Sequence, residues 1–178
     1  MEQEDIQHKL AQLIELLSCH DLDQHEVEGI VLLCMQARRD PARTLAYNYG
    51  EDASQIAQYD PAGVTAFVIF TELEDYFAVS DTVDELHEQV IDAFEIPALP
   101  DYPYDDNTFE TVMDYFAWLD EQLLAHHPKY RLIEFGQSYT HDFQTVLIRR
   151  DTVEETLSLC KELGMHAQPC PLTDSTAT

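Results

Sequence analysis

Apolar residues recur at helical spacing from the start of the chain. Ile6, Leu10, Leu13, Ile14 and Leu17 share one face over residues 4–19. A second helix is predicted from Asp23, with Glu26 three positions on as the partner of a capping box. Its stripe is Val27, Ile30, Val31, Cys34 and Met35, and Arg38 and Arg39 suit its negative end. Asp40-Pro41 opens a third, shorter helix, because proline is tolerated in a first turn; residues 47–50 end it. These segments predict an antiparallel helical hairpin with a connector.

Beyond the turn signature of residues 60–63 the pattern changes. Val64 to Phe70 is apolar throughout, rich in β-branched and aromatic residues, and reads as a buried central strand. Residues 73–79 read as a short second strand or the lead-in to a helix. Thr82 and Glu85 open a helix through Val83, Leu86, Val90, Ile91 and Phe94. Residues 97–107 hold three prolines and three aspartates in 11 residues and read as a surface loop. Asn107 with Glu110 is expected to cap a helix carrying Phe109, Val112, Phe116, Leu119 and Leu123, with Trp118 off the stripe. Residues 130–136 and 142–150 read as two strands joined in a hairpin by residues 137–141. A helix through Val153, Leu157, Cys160 and Leu163 follows, closed by Gly164, and residues 165–168 return as an edge strand. The expected class is α+β: N-terminal helices, then a small, mostly antiparallel sheet packed with helices on one face. Residues 1–60 form the helical segment, 61–168 the α+β core of the same domain, and 169–178 a flexible tail.

Charge changes this picture most. The chain has 35 acids against 9 bases, a formal net charge of −26. Between Arg43 and Lys129 lie 85 residues with 19 acids and no lysine or arginine. Hydrophobic residues at 45% still supply a core, which excludes wholesale disorder. Nucleic acids and anionic membranes would repel this surface, since their binders rely on Lys and Arg. No apolar run reaches the ~20 residues needed to span a bilayer. The opening residues lack the basic and apolar character of an export signal. Cys19, Cys34, Cys160 and Cys170 form no C-x-x-C pair, so reduced thiols and a cytoplasmic location are expected.

The hairpin of residues 130–150, the helix ending in Leu163-Gly164 and the returning edge strand resemble the C-terminal unit of a family of uncharacterised bacterial domains. Members of that family are small α+β domains with an aspartate-rich middle. The resemblance covers about a quarter of the chain. It implies the fold class and carries no catalytic residues.

No nucleophile elbow or phosphate-cradling glycine loop occurs. His87-Glu88 lacks the second histidine of a zinc-protease motif. Cys34 and Cys160 sit on apolar helix faces, as core cysteines do. No cofactor is expected. Tyrosines lie beside acids at Asp75-Tyr76, Asp101-Tyr102, Tyr104-Asp105 and Asp114-Tyr115. That pairing reads either as rings buried under a solvated acidic face or as a hot-spot surface for a basic partner. The partner-binding candidates are Asp101, Tyr102, Tyr104, Asp105 and Asp106 in the loop, with Glu72, Glu74 and Asp75. The expected function is a non-catalytic interaction domain that engages a basic protein surface as a regulator, an immunity protein or a nucleic-acid mimic. The alternative is a small metal-dependent hydrolase, with His126, His127, His141 and Asp142 gathered where the hairpin turn overlies a helix end.

Overall fold

The computed structural model describes residues 2–104 and 109–172. Helix α1 (Gln3–Leu17) and helix α2 (Gln24–Arg39) form the predicted hairpin. Asp23 accepts from the Glu26 backbone N–H at 2.8 Å, and the Glu26 carboxylate accepts from the Asp23 N–H at 2.9 Å. The capping box read from the sequence is therefore formed. Helix α3 (Pro41–Tyr49) begins on its proline and stops at Gly50, whose φ of 97° suits glycine. Short turns α4 (Glu51–Ser54) and α5 (Ile56–Tyr59) follow.

Residues 64–70 are the main correction. The expected central strand is a helix, α6 (Val64–Glu72), packed against α2. An unbroken apolar run has no period, so a buried strand and a buried helix look alike in sequence. A helix with apolar residues all round belongs in an interior. Val64, Ala66, Val68 and Ile69 are buried accordingly, and Phe67 and Phe70 are half-buried. The β-branched residues lose only about 0.5 kcal/mol each in a helix, far less than their burial returns.

Residues 74–76 form a single 3-10 turn and strand β1 (Phe77–Ser80) follows, so this segment is a strand and not the lead-in to a helix. Helix α7 (Val83–Asp92) then leads to the loop, and helix α8 (Val112–His126) follows. Helix α8 starts later than expected: Thr111 and Asp114 make the reciprocal capping bonds in place of Asn107 and Glu110. Asn107 itself lies outside the described residues. Val112, expected on the buried stripe, is 41% exposed, while Tyr115 is wholly buried. Strands β2 (Tyr130–Phe135) and β3 (Phe143–Arg149) form the predicted hairpin. Helix α9 (Val153–Glu162) and strand β4 (Ala167–Pro169) complete the unit, with Gly164 at φ 75°. The antiparallel sheet runs β1-β3-β2-β4, and the class is α+β.

Alternation along the strands makes both faces of this sheet apolar. Ile133, Phe135, Val146 and Ile148 enter one core with α1, α2, α6 and α9. Leu132, Phe143 and Leu147 point the other way, into a second core with α7 and α8. Helical cover thus extends beyond the single face expected. The chain beyond Gln168 is also held further than a tail would be. Pro169 pairs with Ile133, Cys170 is 3% exposed and donates its N–H to Leu132 O, and Arg131 Nη2 donates to Pro171 O. Residues 173–178 of the expected tail lie outside the described residues. No helix among the described residues is long and apolar enough to cross a membrane.

Candidate interaction face

On helix α7, Val83, Leu86, Val90 and Ile91 turn inward, and His87 falls within the same stripe. His87 is fully buried, and both ring nitrogens are engaged. Nε2 lies 2.7 Å from Pro100 O, and Nδ1 lies 2.9 Å from the Tyr115 hydroxyl. A carbonyl only accepts, so Nε2 carries the proton, and Nδ1 accepts from the Tyr115 O–H. Burial holds His87 below its ordinary pKa, and burial likewise pushes the Tyr115 hydroxyl up. The neutral pair sits within an aromatic shell: Trp118 at 5.2 Å, Tyr115 at 5.7 Å and Tyr102 at 6.1 Å from the imidazole centre.

This histidine anchors the proline-rich loop. A second anchor is His127, whose Nε2 lies 2.6 Å from Pro97 O and whose ring stacks on Phe94 at 3.9 Å. Leu99 is buried between the two anchors. Tyr102 lies against Phe109 and Tyr115, and the exposed Tyr104 packs edge-on against Tyr102 at 4.9 Å. The loop is thus a fixed platform over the first turns of α7.

Carboxylates surround Tyr104. Loss of water around the ring raises its hydroxyl pKa, and the charges of Asp84 and Glu88 raise it further. A hydrogen bond from the Thr82 side chain lowers the pKa of Asp84, as do the N–H groups of Asp84 and Glu85 at the helix start. Glu88 and Asp101 are exposed, and both charges act on His87 below the loop. The platform therefore presents an exposed aromatic ring with the carboxyl groups of Asp84 and Glu88 beside it, held before any partner arrives.

The sequence-predicted candidates divide. Asp101, Tyr102 and Tyr104 belong to this platform. Asp105 and Asp106 lie outside the described residues. Glu72 accepts from the Tyr49 hydroxyl at 2.7 Å and joins α6 to α3. Glu74 is exposed. Asp75 borders a groove of about 200 Å³ at the other end of α7, beside Asp92. Gln89 pins that end by bonding both N–H and carbonyl of Val79 on the edge strand, at 2.9 and 2.7 Å.

The proposed gathering of His126, His127, His141 and Asp142 does not occur. His126 and His127 end α8 next to the start of β2, and the hairpin turn lies past its far end. Six strand residues span roughly 20 Å, too far for shared ligation. His141 Nδ1 instead meets Asp81 at 3.3 Å, and the Asp142 N–H donates to the same carboxylate. Among the described residues, no three His, Cys, Asp or Glu side chains converge as metal ligands. Cys34 and Cys160 are buried, and burial pushes both thiols up to about 12, which keeps them protonated at neutral pH.

In sequence His87 stands out only as half of a failed zinc motif and Tyr115 only as a neighbour of Asp114; their bond to each other and the grouping with the α7 acids are not visible there. The signal for His87 was its spacing: it stands four residues from both Val83 and Ile91, on the apolar stripe. No protein-family model, curated protein or solved structure matches the chain.

Proposed function

We propose that this chain is a non-catalytic interaction domain whose acidic, tyrosine-bearing face engages a basic protein surface. The observation that carries the reading is the anchored loop. His127 and His87 hold the loop at Pro97 and Pro100, so that Tyr104 stands beside Asp84 and Glu88, and Asp101 lies exposed near His87, in a stretch without a single lysine or arginine. Prefixed backbone lowers the ordering cost of binding. Tyrosine supplies contact area, and the carboxylates supply steering and register. Regulator, immunity protein and nucleic-acid mimic are three partners' views of one surface, and the identity of the captured protein separates them.

The test is affinity capture from lysate with the wild-type chain and with Asp84→Asn/Glu88→Asn/Asp101→Asn. A basic protein held at low salt, released at high salt and lost from the triple variant supports the reading. Capture that survives neutralisation of all three acids rules this face out.

A further inference from the structure

The opposite side of the sheet carries a second, unrelated feature at the hairpin end. A slot of about 270 Å³ is walled by Tyr59, Phe67, Phe70 and Tyr139. A polar recess of about 460 Å³, bordered by Glu134, His141, Asp142 and His166, adjoins it. Gln137, Ser138 and Gln144 line both, so together they form one cleft of the size and mixed polarity that small ligands occupy.

The walls are built to hold shape. The Tyr139 hydroxyl donates to Asp60 at 2.6 Å, and its ring meets Tyr59 edge-on at 5.7 Å and Phe67 at 6.2 Å. Gly63 makes that bond possible: a Cβ there would lie 2.3 Å from Asp60 Oδ2 and 2.4 Å from the Tyr139 hydroxyl. Gln144 is only 4% exposed. Its Nε2 donates to Phe135 O at 2.9 Å, while its carbonyl oxygen has no partner among the described residues. Because it is not among the buried orphaned polar atoms, that oxygen reaches the cleft, where a ligand N–H can donate to it.

We propose that this cleft binds a small organic cation carrying a flat apolar ring, of the arylalkylamine class. The ring fits the aromatic slot, and the ammonium group donates to Gln144 Oε1. The charges nearby fit a cation. Asp52 borders the slot, Glu134 and Asp142 border the recess, and no lysine or arginine lines either. The two histidines there are already paired, His141 with Asp81 and His166 with Glu134. Aromatic faces attract an ammonium group directly, and the net charge of −26 concentrates cations around the whole chain. The inference stands apart from the interaction face, with which it shares no residue.

The test is a two-dimensional NMR titration of the full chain with 2-phenylethylamine, with 2-phenylethanol and phenylacetate as neutral and anionic counterparts. The expected result is saturable shifts at Tyr139, Gln144 and Ser138 with the amine, weaker shifts with the alcohol and none with the carboxylate. Gln144→Met should weaken the amine about fivefold, the worth of one hydrogen bond. Asp142→Asn, at an exposed position, should weaken it by a smaller factor and leave the spectrum of the free protein otherwise unchanged. The proposal is overturned if the carboxylate shifts the cleft as strongly as the amine. It is equally overturned if amine-induced shifts scatter over the acidic surface without saturating at the cleft, or if both variants bind the amine as wild type does.

Discussion

The two faces of the sheet solve burial differently. One carries an aliphatic core in which Leu10, Leu13, Ile14 and Leu17 of α1 meet Ile133, Val146 and Ile148. The other carries an aromatic core built around a hydrogen-bonded histidine, with Tyr115, Phe116 and Trp118 from α8 and with the proline loop as its lid. The aliphatic centre asks that apolar surface leave water, a non-directional demand, and its directed bonds, such as Tyr49 to Glu72 and Tyr139 to Asp60, lie at its edges. The aromatic side also asks for two directed bonds, one of which holds a surface loop. A defect on the first face should therefore lower global stability, whereas a defect on the second should also release a local segment.

The largest expected effect is on the aliphatic face. Leu17→Ala, at a fully buried position, should cost about 3 kcal/mol through lost burial and a residual cavity. A urea midpoint lowered at unchanged slope checks it. Next comes His87→Leu, which strands the Tyr115 hydroxyl and the Pro100 carbonyl and should cost about 2 kcal/mol. Hydrogen exchange should then accelerate across residues 97–104 while amides of α1 keep their relative order. Loop protection unchanged from wild type would mean that the histidine does not anchor it.

A third effect follows from the depressed pKa of His87. On acidification below its ordinary value of 6.5 the unfolded chain takes up the proton first, so it binds more protons than the folded chain. The contribution is therefore intact above pH 6.5, declines as pH falls below it, and levels off once folded His87 is also protonated. The hydrogen bond to the Pro100 carbonyl limits the shift, as do the facing charges of Asp101 and Glu88, and ordinary carboxylates stay ionised until about pH 4. Urea titrations at descending pH should show this decline in wild type and a smaller one in His87→Gln. The smallest effect belongs to the rim. Asp84→Asn/Glu88→Asn/Asp101→Asn should change stability by less than about 1 kcal/mol, since exposed charges contribute little, and a melting curve beside the capture assay checks both halves.

Much of the aliphatic face was legible in the sequence. The stripe of α1, the Asp23-Glu26 box, Pro41 at a helix start, the β2–β3 hairpin and the Gly164 stop all follow from local rules, and local rules act within a few residues. Val64 to Phe70 reads as a strand in sequence because a run without polar positions carries no period, and only its packing against α2 selects helix. At the candidate face, Asp101, Tyr102 and Tyr104 were visible as residue types. Their grouping with Asp84 and Glu88 was not, because it depends on a bond between residues 87 and 100 and another between 87 and 115.

The sequence by itself determined the charge, the α+β class and which side chains of α1 and α2 leave water on the aliphatic face, since periodicity and composition are properties of neighbours along the chain. Tertiary structure alone decided that residues 64–72 are helical, that His87 ties the loop to α8, and that the hairpin turn stands far from the histidines ending α8. Those outcomes rest on directed hydrogen bonds and close contacts between distant residues, which spacing along the chain does not encode.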